Sequence, residues 1–424
     1  MRFLFFPAII AASFLASGCH AESPKVFAHY MPWFEAEKKA SGEFAWSHWQ
    51  WYGKGPKHDP DDVLPNGRRD IASVFYPLIG PYDERDPAVL EYQILTAKAA
   101  GIDGFIADWY GPGNSTDKMF AGLVKAAERY GFTVAICLEE KSFFPSYSQA
   151  KTRTEVEDVM RRQIEYALSQ YASSTSYARS DGLPVFLIFS GYGEGELGPN
   201  TLSREELGRV FDNFKDQKFL LVRSTLDRLP AGAAKACYIW SANWDSREGR
   251  ESYYRATQTA REHGEVQYWM GGCSPGFDDT GVWGWGQGPR VLNRRGTATY
   301  EEQWNEVLRY HPDAVQIITW NDLEEGTTIE PTEEYGFRFV DLTERYVEKY
   351  TGRRANLEDN QWPLRIYKLR RAVSSIQDAA TREDYTRRLD RLASAFARGR
   401  RFLMGWDLNR LEQTISNSNG GATK

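Results

Sequence analysis

The run Ile317-Ile318-Thr319-Trp320-Asn321-Asp322-Leu323-Glu324-Glu325-Gly326-Thr327 decides how this chain is read. An apolar, β-branched segment stops abruptly at Trp-Asn-Asp, and a further acid follows three residues later. This is the pattern of a buried strand that ends at a site working with carboxylates. A tight turn there would aim Asp322 and Glu325 into one cleft. Two carboxyl groups facing one bond are the minimum equipment for cleaving a glycosidic linkage.

Working outward, short apolar runs alternate with amphipathic stretches between residues 25 and 352. Strands are predicted at 26–33, 104–109, 133–138, 184–189, 219–223, 237–241, 266–270 and 314–320. Helices fit between them at 87–100, 116–130, 152–171, 203–216, 246–263, 300–310 and 333–350. The interval 226–236 is too short for a full helix. This alternation predicts an α/β fold, a (β/α)8 TIM barrel. Near-continuous apolar strands agree with a parallel sheet buried on both faces. Two long loops, 34–86 and 271–298, carry Trp46, His48, Trp49, Trp51, Tyr52, Trp283 and Trp285. Long βα loops belong to the face of a barrel where active sites are built. Residues 356–415 read as a helical extension, with helices near 363–376 and 382–403.

Composition narrows the partners. The chain has 52 Lys and Arg against 58 Asp and Glu, a net charge of −6, so no nucleic-acid partner is expected. Aromatic residues make up 14% of the chain, including 14 Trp. Aromatic faces stack on the apolar faces of sugar rings, although large cores also use them. Residues 1–18 resemble a signal peptide: Arg2, the apolar run 3–15, then Ala16-Ser17-Gly18-Cys19. Small residues before a cysteine suggest a bacterial lipoprotein, with Cys19 lipidated and holding the protein to a membrane. Ordinary secretion with cleavage near Ala21 is the alternative. Both place the mature protein in the cell envelope or outside it. Cys137, Cys237 and Cys273 fall in no metal-ligand spacing and read as buried strand residues, with at most one disulfide, 237 to 273. The His residues form no close pair, so neither a metal nor any other cofactor is expected.

Polar residues just past each strand would share the cleft. They are Tyr30 and Trp33 after the first strand, and Asp108, Trp109 and Tyr110 after the second. Glu139 follows the third, Tyr192 the fourth, Trp240 and Trp244 the sixth, and Trp320 and Asn321 the eighth. Each also has a structural reading, as a cap, a plug or a salt-bridge partner. Their recurrence at successive strand ends is what points to a binding cleft.

The motifs His29-Tyr30-Met31-Pro32-Trp33, Ile79-Gly80-Pro81-Tyr82, Asp108-Trp109-Tyr110-Gly111-Pro112, Ser274-Pro275-Gly276 and Trp320-Asn321-Asp322 through Glu325-Gly326-Thr327 together resemble glycoside hydrolase families 71 and 99. These are the α-1,3-glucanases and endo-α-mannosidases. The resemblance covers residues 25–350. Glu325-Gly326-Thr327 follows the mannosidase pattern, but Asp322 stands where that pattern has Glu. Trp320-Asn321-Asp322 follows the glucanase pattern instead. The resemblance implies an oligosaccharide or polysaccharide substrate, Glu325 as general acid, Asp322 as base and Glu139 near the bound sugar. A non-catalytic glycan-binding lipoprotein on such a barrel is the competing reading. It would keep the aromatics but would not need both acids. A polysaccharide lyase is a third reading, kept open by Arg290, Arg294 and Arg295.

Overall fold

The computed structural model describes residues 24–38, 44–139, 152–189, 202–216, 219–223, 234–241, 246–354, 360–400 and 404–420. Eight barrel strands follow in chain order: β1 (Lys25–Tyr30), β2 (Gly104–Trp109), β3 (Thr133–Glu139), β4 (Leu183–Phe189), β5 (Leu220–Arg223), β6 (Ala236–Tyr238), β7 (Tyr268–Cys273) and β8 (Ala314–Ile317). Each pairs in parallel with the next. β8 pairs with β1 through Val26 and Val315, which closes the sheet. The fold is the expected (β/α)8 barrel.

Around it lie α1 (Pro87–Ala99), α2 (Ser115–Tyr130), α3 (Arg153–Tyr171), α4 (Arg204–Asp212), α5 (Arg247–Glu262), α6 (Ala298–Tyr310) and α7 (Arg338–Thr351). The chain writes their starts locally. Asp86 accepts the N–H of Ala88 just ahead of a proline-initiated α1. Thr152 with Glu155, and Ser203 with Glu206, form capping boxes at α3 and α4, satisfying N–H groups that a helix start leaves open.

Strand pleat sorts the core into two layers. One cluster takes Phe27, Ile106, Ala135, Cys137, Val185, Leu187, Val222, Ala236, Tyr238, Met270 and Ala314, so every barrel strand contributes. This is the filled lumen. Alternate residues such as Val26, Ala28, Phe105, Val134 and Ile136 pack outward with helix side chains.

Element boundaries differ from the sequence reading in several places: β1 ends at Tyr30 and not at 33, β6 at Tyr238 and not at 241, and α4 at Asp212 and not at 216. β7 runs through Gly271 and Gly272 instead of ending at Met270. Glycine there allows close approach: a Cβ on Gly272 would sit 2.8 Å from the carbonyl oxygen of Ile239. β8 stops at Ile317, because the N–H of Thr319 turns to the Thr327 carbonyl at 3.0 Å. α7 begins at Arg338, five residues late, since Thr332 first bridges to Pro77. Cys137, Cys237 and Cys273 are free and buried, so the optional 237–273 disulfide does not form. Among the described residues no helix is long and apolar enough to cross a membrane.

The C-terminal extension forms α8 (Trp362–Ser374), α9 (Ala379–Ala397) and α10 (Met404–Gly420). Arg370 of α8 grips Glu91 of α1 in a fork, at 2.6 and 2.7 Å, and reaches Asp390 of α9 at 2.8 Å.

A buried bidentate pair links α5 to α6. Arg250 donates to Glu306 twice at 2.8 Å, and both side chains are buried. Removing one partner strands the other charge in the interior. Arg250→Ala is expected to cost about 3–5 kcal/mol in chemical denaturation. The double change Arg250→Met with Glu306→Leu is expected to recover most of that loss.

Candidate active site

After Ile317 the chain folds back on itself. Ile318 donates to the carbonyl of Cys273 at 2.8 Å and Trp320 to that of His29 at 2.7 Å, so the segment stays docked on β7 and β1. The Thr319 and Thr327 hydroxyls meet at 3.0 Å across the loop, and the N–H of Asp322 donates to Thr319 Oγ1 at 2.8 Å. The N–H of Glu325 then donates to Asp322 Oδ1 at 2.9 Å. This Asp-centred turn holds both carboxyls at the mouth of the barrel. Gly326 has φ +60°, and a Cβ there would lie 2.7 Å from the Asp278 carbonyl oxygen, so the loop after β7 rests directly on it. Arg294, itself buried, donates to the carbonyls of Gly326 at 2.9 Å and Thr328 at 2.8 Å. Burial lowers its pKa to about 10.

The two acids sit at different depths. Asp322 is 2% exposed, whereas a quarter of the Glu325 side chain reaches solvent. Burial, then the charge of Glu325, raises Asp322 well above the usual carboxylate range. Burial raises Glu325 to about 7. The indole N–H of Trp285, donated to Glu325 Oε1 at 3.2 Å, and the Arg290 guanidinium 3.9 Å away hold it from going higher. Each carboxyl therefore keeps its proton to higher pH than a free one would. An acid and a base from one pair is what hydrolysis of an acetal requires.

Strand parity separates the remaining candidates. Asp108 of β2 points into the lumen mouth, 3.4 Å from His29 Nε2 of β1. His29, Asp108 and Cys137 bring one polar atom each within 4.8 Å of one another. Trp240 stands edge-on to His29 at 4.8 Å and against Phe189 at 5.1 Å. Glu139 follows the same parity as Cys137 on β3. Burial, Asp108 and Glu139 raise Tyr110 well above the ordinary phenol range, which puts these three together. Trp33 lies 6.2 Å from the Tyr110 ring and stacks on His48 at 4.7 Å.

Four candidates do not face the cleft. Tyr30 and Trp109 each follow an inward residue by one position, so the pleat turns them outward. Tyr30 donates to Gln93 of α1 at 2.7 Å and Trp109 to Asp117 of α2 at 3.0 Å. Trp320 is fully buried against Phe105. Asn321 is also fully buried: its Oδ1 accepts from the Met31 N–H at 2.8 Å, and its Nδ2 donates to the Met31 carbonyl at 3.1 Å and to Glu84 at 2.8 Å. It is a staple and not a sugar contact. Tyr192, Trp244 and Cys19 lie outside the described residues.

One site residue escaped the sequence reading, and another was read only as part of an aromatic loop on the active-site face. Glu324, buried and lying between the two acids in the chain, meets His48 Nδ1 at 2.8 Å through its carboxylate. Burial opposes charge on His48, but Glu324 overrides it and raises the imidazole pKa. Trp285 is the other, bonded to Glu325. The signal for both lay in the quoted stretch and in the aromatic loops, but nothing local tells which loop residue folds inward.

The profile of Glycosyl hydrolase family 71 matches residues 68–377. The chain belongs to that family. It is therefore a glycoside hydrolase, and the non-catalytic and lyase readings fall away. Similar curated proteins include the glycoprotein endo-alpha-1,2-mannosidase-like protein of Mus musculus, 25% identical over 371 residues, covering 79% of this chain and 77% of the relative. The Rattus norvegicus glycoprotein endo-alpha-1,2-mannosidase is 23% identical over 338 residues, covering 72% of this chain and 69% of that one. Among solved structures, the GH99 endo-alpha-mannosidase of Bacteroides thetaiotaomicron superposes with a TM-score of 0.60 at 18% identity, covering 77% of this chain and 97% of that one. At that identity the likeness speaks for the barrel.

Glu324 adds a negative charge that raises both Asp322 and Glu325. Without that charge each carboxyl ionises more easily. Glu324→Gln is therefore expected to move both limbs of the pH profile of kcat/KM to lower pH. In the wild type, activity is expected to fall as pH rises through about 7, where Glu325 gives up its proton.

Proposed function

We propose that this hydrolase cleaves an α-linked mannosyl or glucosyl glycan, with Glu325 as general acid and Asp322 as base. The observation that carries the proposal is the single turn holding both carboxyls at the mouth of a closed barrel. The relatives named above supply the substrate class. Glu325, the more exposed of the two, is placed to meet a departing sugar, and Asp322 lies deeper. Glu325 gives its proton to the glycosidic oxygen as the C1–O bond breaks. A water oxygen bonds to C1, and its proton passes to Asp322. Water then returns the pair to its starting protonation.

The expected outcome is inversion. Asp322 is one methylene shorter than Glu, and its Oδ1 is drawn back onto the Glu325 N–H, which leaves room for a water. The catalytic unit is the barrel of residues 25–352, and the helices of 356–415 brace it. The pattern at residues 16–19 supports an extracytoplasmic protein, anchored in the cell envelope by lipid at Cys19.

Screening α-mannan, α-1,3-glucan and host-type glycans tests the substrate class. Asp322→Asn and Glu325→Gln are each expected to lower kcat by roughly 10²–10⁴-fold with unchanged melting behaviour. Near-normal turnover in either variant contradicts the assignment. NMR of the first product is expected to show the β anomer; an α product would route the reaction through the sugar 2-hydroxyl instead.

A further inference from the structure

We infer that Trp285, braced by Trp51, is the platform for the sugar on the leaving-group side of the scissile bond. This rests on the function proposed above.

The first observation is a gradient of depth. Asp322 is buried, Glu325 is a quarter exposed, and Trp285 is 41% exposed. Trp285 is tied to the outward end of this series by its N–H on Glu325 Oε1. A general acid stands beside the oxygen it protonates, so the departing sugar lies next to whatever flanks that acid toward solvent. Here that neighbour is a large exposed indole. The inner aromatics, Trp33, Tyr110 and Trp240, gather around Asp108 and His29 at the deeper end. The cleft therefore has aromatic surface on either side of the acid pair.

The second observation is that the fold holds Trp285 at a cost. Trp283, Gly284 and Trp285 have φ of 49°, 56° and 54°, three successive left-handed residues. For the two tryptophans this left-handed backbone is strained, while glycine adopts it freely. Surrounding structure enforces it. Gly284 donates to the Asp279 carbonyl at 2.9 Å, and the buried Asp279 carboxylate accepts from the Arg290 N–H at 2.6 Å and Nε at 2.8 Å. The Trp283 ring lies so close to Gly55 that a Cβ there would be 2.3 Å away. Trp51 meets Trp285 edge-on at 5.9 Å, with its own N–H on the Lys54 carbonyl at 2.9 Å. A tryptophan used only as packing would be buried and unstrained. This one is strained and left open, beside the acid.

Trp285 touches Glu325, so the test must separate its ring face from its N–H. The variants are Trp285→Ala, which loses both, and Trp285→Phe, which keeps a face and loses the donor. Each is assayed on an α-linked tetrasaccharide that the wild type cleaves and on a glycosyl fluoride carrying the same donor sugars, which has no leaving-group sugar. For Trp285→Ala, kcat/KM on the tetrasaccharide is expected to fall at least about tenfold further than on the fluoride. Trp285→Phe is expected to recover most of that difference while its alkaline limb moves to higher pH, because the donor that favoured the ionised acid is gone. Equal losses on both substrates, or a Phe variant as impaired as Ala, overturn the inference. Should the wild type cleave nothing in the panel, the proposed function fails, and calorimetric titration with α-1,2-mannotetraose and α-1,3-glucotetraose decides this point separately. Weaker binding by Trp285→Ala supports the platform; equal binding, or none by the wild type, rejects it.

Discussion

The site depends on one amide. Asn321 joins the loop after β8 to the end of β1 by bonding both the N–H and the carbonyl of Met31, at the seam where the barrel closes. Its remaining donor reaches Glu84, which in turn accepts the Phe34 N–H at 3.0 Å and so fixes the start of the first long loop. Tyr82 from that loop donates to Glu330 at 2.8 Å. Burial raises Glu84 well above the ordinary range and Glu330 to about 8, because a bare charge in that interior would be costly. Asp322 follows Asn321 directly, and its direction is inherited from this network.

The electrostatics of the mouth follow from crowding. Asp108, Glu139, Asp322, Glu324 and Glu325 come from three strand ends of one small barrel. Such a cluster cannot be fully ionised without strong repulsion, and the protein answers in two ways. One is to let the acid pair hold on to protons to higher pH. The other is to set Glu324 against His48, whose charged form it favours and which Trp33 covers with its ring. The first long loop therefore supplies charge balance as well as aromatic surface. The loop after β7 presses against it, with Gly281 packed so tightly on the Ala72 backbone that a Cβ would come within 2.6 Å.

Much of this was legible in the sequence, for physical reasons that also mark where legibility ends. Strand and helix periodicity is a local property, and it placed all eight strands and seven helices near their observed positions. The acid pair was legible because a strand end, a turn and two carboxylates are contiguous in the chain. The faces were harder. Tyr30 and Trp109 sit one residue beyond His29 and Asp108, and only the pleat of the folded strand says which neighbour turns inward. Asn321 looked like a cleft residue because it adjoins Asp322, yet its partners are 237 and 290 residues away. Gly271 and Gly272 read as a strand end because glycine weakens isolated strands; in the barrel their lack of a side chain is what lets neighbours approach.

The fork from Arg370 to Glu91 bears on how this molecule would tolerate dissection. A helix on the rim of an ordinary barrel shows a wet face to solvent. α1 has little of one: Val89, Leu90, Tyr92, Ile94, Leu95, Ala97 and Ala99 are buried, and so are Glu91, Gln93 and Thr96. The terminal helices have taken over the role of solvent on that side. A chain cut back after α7 would keep every barrel strand and both acids, but it would present a greasy helix whose Glu91 has lost its arginine and keeps only the Tyr130 hydroxyl. Such a fragment would be prone to self-association, and the terminal helices are what cover that face.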